Sequence, residues 1–111
     1  QADAPLQVPE KMQALFVQTM QADLDSLQRA IGDASPERVA QVLHRIRGAL
    51  VIVGAPALVA HGQQIEQQIS DGDTLPALAG ALDHFQRRLQ RLLGPLTHVA
   101  APSPSRKPTL P

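Results

Sequence analysis

The chain has 111 residues, enough for one ordinary domain and too few for a second core. Ten Lys and Arg residues balance ten Asp and Glu residues, so the formal charge is zero. That balance disfavours wholesale nucleic-acid binding, which needs a basic surface to neutralise phosphates, and it lacks the polybasic signal for an anionic membrane. No cysteine is present, which excludes disulfides and thiolate metal sites and is compatible with a reducing compartment.

No apolar run approaches membrane-spanning length, and nothing before the first helix reads as a signal peptide. The chain starts at Gln1 and reads as a fragment or processed product of something larger. The only aromatic carbocycles are Phe16 and Phe85, so the core must come from Leu, Val, Ile and Ala. Such a core suits packed helices better than a sheet.

Residues 1–8, with Pro5, read as a linker. The first periodic segment covers about 9–32, with Val17, Met20, Leu24, Leu27 and Ile31 spaced by threes and fours, and Gly32 suits its stop. The second opens on Ser35-Pro36, an N-cap serine before an N1 proline, and carries Val39, Leu43, Ile46, Leu50 and Val53 before Gly54. The third starts near Pro56, holds Leu58, Gly62, Ile65 and Ile69 in register, and stops at Asp71-Gly72. The fourth follows the cap candidates Asp73 and Thr74, with a stripe of Leu75, Leu78, Leu82, Phe85, Leu89 and Leu92. Residues 95–111, rich in Pro and Ser, read as a mostly disordered tail. One apolar stripe per helix and short connections predict an all-α, antiparallel up-and-down four-helix bundle over 9–94, with room for a short extra helix at the N-terminus.

The second segment has an unusual outer face. At about 100° per residue, with the core stripe near zero, His44 falls about 140° away, on the water side. Ala40, Gly48 and Val51 share that side, and Arg47 sits on its flank. A solvated helix face normally carries Glu, Lys and Gln. Gly48 costs about 1 kcal/mol against alanine in a helix interior, and an unshielded imidazole one turn away is a reason to keep it. Ala40, Val51 and Ala55 are placed to form an apolar collar for docking. Imidazole is a nucleophile near neutral pH, attack on phosphorus needs open access, and the anionic product suits the forked donors of Arg47. Arg45 is a further cation that points elsewhere.

His44-Arg45-Ile46-Arg47-Gly48-Ala49, followed by Gly54-Ala55, resembles the signature of histidine phosphotransfer (HPt) domains. That signature is His, any residue, apolar, Lys or Arg, Gly, Ser or Ala, then a Gly-Ala turn. The Gly62-Gln63-Gln64-Ile65-Glu66 stretch is similar to the family's pattern on the helix beside the histidine. The resemblance spans roughly residues 10–93, and its specific part is the block from His44 to Ala55. The family more often has Lys where Arg47 stands, and smaller or polar residues where Val51 and Ile52 stand, so the docking surface is expected to be more apolar than usual.

The resemblance implies a relay in two-component signal transduction. His44 would accept a phosphoryl group from a receiver-domain aspartate of a hybrid kinase and pass it to an aspartate of a response regulator. Arg47 would stabilise the phosphate and Gly48 would give access. The resemblance implies no autokinase activity, no nucleotide site and no cofactor here, with Mg²⁺ belonging to the receiver. It implies a module at the C-terminus of an unorthodox hybrid sensor kinase of the bacterial virulence type, monomeric in isolation, cytoplasmic, and without direct membrane or nucleic-acid contact.

Other residues have plainer readings beside these. His44 alone would be an ordinary surface histidine, and Arg47 a solvated charge; the spacing with Gly48 and Gly54-Ala55 is what sets them apart. Gln63 and Gln64 either hold the His44 ring at Nδ1, leaving Nε2 to react, or form a polar surface. Gly62, in register with Leu58 and Ile65, suits close helix packing. His61, His84 and His98 lack ligand spacing, so no metal site is expected. Arg87, Arg88 and Arg91 read as a solvated face, with receiver steering as the alternative. The competing function is a non-catalytic helical adaptor or oligomerisation module. A kinase dimerisation and phosphoacceptor domain is disfavoured, because Arg45 stands where that module has an acid and no nucleotide-binding domain follows.

Overall fold

The computed structural model describes residues 6–100, with side chains from 6 to 96. Its elements are a 3₁₀ turn at Glu10–Met12 and four helices: α1 Gln13–Gly32, α2 Pro36–Ile52, α3 Pro56–Ser70 and α4 Leu75–Ala100. Helices α1 and α2, α2 and α3, α3 and α4, and α4 and α1 pack as neighbours, which closes the ring of a four-helix bundle. Short turns make successive helices antiparallel.

The helix ends have local causes. Ser35 Oγ accepts from the Arg38 N–H at 3.3 Å ahead of Pro36, and Thr74 Oγ1 accepts from the Ala77 N–H at 3.3 Å. Of the two cap candidates before α4, Thr74 therefore has the capping bond. The three interhelical turns share one closure. The N–H groups of Ser35, Ala55 and Asp73 reach back to the carbonyls of Ala30, Leu50 and Gln68, and the preceding residue is left-handed: Ala34 at φ 54°, Gly54 at 79° and Gly72 at 96°. At the first turn the left-handed position belongs to Ala34, not to Gly32, which is the last helical residue.

The stripes converge on one core. Met20, Leu27, Leu43, Ile46, Leu50, Leu58, Ile65, Leu82, Phe85 and Leu89 are fully enclosed. Each such side chain contributes about 1.5–3 kcal/mol by leaving water. Gly62 faces Phe85: a Cβ there would lie 3.1 Å from Phe85 Cε1, so glycine lets the ring pack against the α3 backbone. Ile31 and Ile69 are only partly buried at the core edge.

Three expectations are corrected. The core position near the end of α4 belongs to Leu93, fully buried, while Leu92 is half-buried, because a spacing of four from Leu89 keeps the stripe in phase. The bundle does not stop at residue 94. α4 runs on through Pro95 to Ala100, and Leu96 is buried. Gly94, lacking a Cβ, eases the helical conformation before proline, and core contact at Leu93 and Leu96 outweighs the lost N–H. The lead-in is not all linker either: Leu6 is buried, and the Gln7 N–H donates to the Val53 carbonyl at 2.9 Å. Residues 1–5 and 101–111, with the remainder of the expected linker and tail, lie outside the described residues. No helix among the described residues is long and apolar enough to cross a membrane.

Candidate functional site

The core stripe of α2 places His44 outward, with 73% of its side chain exposed. Its ring is held from one side. Nδ1 lies 3.0 Å from Arg47 Nη2 and 3.5 Å from Glu66 Oε1 of α3. These contacts are all at Nδ1, so the Nε2 edge is the open one. Gly48, one turn on, is exposed, and a Cβ there would meet nothing within 4 Å. The space over the ring is therefore open, as the facial reading of α2 expects.

Arg47 is the most constrained member. Its Nε donates to Glu66 Oε2 at 2.7 Å and its Nη2 to Glu66 Oε1 at 3.1 Å, a two-point grip between α2 and α3. The pair is largely shielded, with side-chain exposures of 21% and 17%. The Glu66 hydrogen bond raises the Arg47 guanidinium above its ordinary value and the Glu66 charge adds to this, while partial burial opposes it. Arg47 is thus a permanent cation beside the imidazole.

The remaining residues of the site divide. Val51 is exposed, and Ala40 is half-buried. Ala55 is buried, a correction to its place on an exposed collar, because the turn after Gly54 folds it under α2. It still lines a shallow groove of about 430 Å³ with Val51, Gly54, Pro56, Val59, Ala60 and Gln63. Gln63 and Gln64 are exposed, and neither bonds to His44. The α3 residue that reaches Nδ1 is Glu66, which lies one residue past the core position Ile65 and so turns toward α2.

Glu66 and Asp23 are what sequence reasoning missed, and each left a signal. Glu66 is the one charged residue in Pro56–Ser70, set among glutamines. Asp23 is buried within the α1 stripe, where a carboxylate requires a partner, and Arg45 Nε supplies it at 2.9 Å. Arg45 is thereby directed to α1, away from His44. Outside the site, His61 makes edge contacts with His84 and Phe85 and lies 3.1 Å from Arg88 Nη1, while Arg87 pairs with Asp83. His98 lies outside the described side chains. Among the described residues no group of three or more His, Cys, Asp or Glu is placed to hold a metal ion.

The arrangement offers an accessible imidazole nucleophile, a fixed cation beside it and an unobstructed approach. No curated protein and no solved structure matches the chain. The family model described as "Hpt domain" matches residues 11–94, which takes in α2, α3 and the whole His44 site. The chain belongs to the Hpt domain family, the histidine phosphotransfer modules of two-component phosphorelays.

Proposed function

We propose that His44 is the phosphoacceptor of this module and that it reacts through Nε2. The observation that carries this is the pairing of an exposed ring with contacts confined to Nδ1, beside a glycine that leaves the approach open. In the tautomer that carries its proton on Nδ1, facing Glu66 Oε1 once Arg47 has turned aside, the Nε2 lone pair attacks the phosphorus of an aspartyl phosphate in line. The bond from phosphorus to the aspartyl oxygen breaks, and that carboxylate leaves with the electron pair. Arg47 is within reach of the new phosphoryl oxygens. The reverse sequence delivers the group to a second aspartate.

The donor and acceptor are receiver domains, one of a hybrid sensor kinase and one of a response regulator, and Mg²⁺ acts in the receiver. No cofactor is assigned to this chain. The exposed large hydrophobic side chains among the described residues are Met12, Leu15, Val51 and Ile52. They lie at the start of α1 and the end of α2, which antiparallel packing brings to one end of the bundle. With the groove beside Val51 they form the apolar part of the docking face. A cytoplasmic module, monomeric when isolated, is the corresponding cellular form.

The test is transfer from a panel of phosphorylated receiver domains to the full chain and to His44→Gln. Label that is stable to base, labile to acid and absent from the variant, with helicity unchanged, is the expected result. Equal labelling of both proteins would exclude His44. No label from any receiver would favour a non-catalytic adaptor.

A further inference from the structure

Glu66 is an unexpected neighbour for a group that must carry a phosphoryl anion. It brings a carboxylate to 3.5 Å from the reacting ring and occupies the cation that the phosphoryl oxygens need, at 2.7 and 3.1 Å. Both partners are largely shielded from water, so the interaction is only partly screened. A neutral amide of the same shape would grip Arg47 less strongly and release it more readily to phosphate. The carboxylate therefore has a distinct effect on the phosphorylated state.

We infer that Glu66 sets the transfer potential of phosphorylated His44, an inference that rests on His44 being the acceptor. Two effects of one carboxylate act in the same direction. First, Glu66 competes with the phosphoryl oxygens for Arg47, so the phosphorylated site keeps only part of that cation's stabilisation. Second, once Arg47 turns toward phosphate, Oε1 is the acceptor left beside Nδ1 and holds a proton there. When the Nε2–P bond breaks, its electron pair returns to Nε2. The phosphoryl group passes to a carboxylate oxygen of the acceptor or to water. Nδ1 keeps its proton, and the ring leaves as neutral imidazole. A protonated phosphoimidazole is the better leaving group, so Glu66 keeps the phosphoryl group transferable instead of stored. Glu66 is a positioning residue here, acting through Arg47 and Nδ1.

The test needs no cognate receiver. The full chain is phosphorylated with phosphoramidate, and decay of the phosphohistidine resonance absent from His44→Gln is followed by ³¹P NMR. Glu66→Gln should lengthen its lifetime about three- to tenfold. Glu66→Asp, which keeps the charge, should restore a short lifetime. In an Arg47→Ala background, where there is no cation to contest, Glu66→Gln should still lengthen the lifetime, through Nδ1 alone. Circular dichroism of each variant checks the fold, and the Arg47→Ala background avoids leaving an unpaired cation. An equal or shorter lifetime in Glu66→Gln overturns the inference. The acceptor assignment fails on a different result, the absence of receiver-derived label at His44.

Discussion

At the residue scale the site is defined by what each side chain is not doing. His44 is held at one nitrogen and free at the other, and Gly48 contributes by absence of a side chain. Gly48→Gln should slow receiver-dependent phosphorylation of His44 while leaving stability unchanged or slightly raised, because glycine costs about 1 kcal/mol in a helix interior. Stopped transfer time courses beside a thermal melt check this; an unchanged rate would remove the steric role. His44, Arg47 and Gly48 are legible in sequence because they lie on one helix, where a 3.6-residue period fixes their mutual placement. Glu66 was not. Its role depends on how α3 is rotated against α2, and the choice among Gln63, Gln64 and Glu66 turns on about 100° per residue. The core positions Gly62 and Ile65 on α3 resolve it, because they turn Glu66, and neither glutamine, toward Nδ1.

At the scale of elements, all four helices are visible as apolar periodicities, and their ends as Ser35-Pro36, Gly54 and Gly72. The departures occur where tertiary contact overrides a local signal. Pro95 reads as a stop, yet α4 continues because Leu93 and Leu96 lie on the core side. Gly32 also reads as a stop, yet the left-handed residue is Ala34, at φ 54°. A left-handed conformation costs a non-glycine residue about 1–2 kcal/mol, and glycine loses about 0.5–1 kcal/mol more entropy on folding. Ala34→Gly should therefore stabilise the bundle by about 0.5–1 kcal/mol. Urea unfolding measures it, and a lower midpoint at equal slope would show that the turn bears no such strain.

At the scale of the whole molecule, zero formal charge leaves apolar contact as the principal basis for docking. The exposed Val51 and Ile52, 62% and 83% accessible, stand at the end of the helix that carries His44. Ile52→Asp should weaken receiver binding about tenfold or more, since burying an unpaired carboxylate at an apolar interface is costly. Helicity and chemical phosphorylation of His44 should be unaffected. Titration calorimetry with a receiver that transfers to the native chain decides it, and unchanged affinity would place the docking face elsewhere.

The central claim, that Nε2 of His44 carries the phosphoryl group, is tested most directly by locating the phosphorus atom. Uniformly ¹⁵N-labelled protein is phosphorylated by a receiver, and the ³¹P–¹⁵N coupling is assigned by heteronuclear NMR. Coupling to His44 Nε2, with Nδ1 still protonated, is the predicted result. Coupling to Nδ1, or to His61, His84 or His98, would contradict the account.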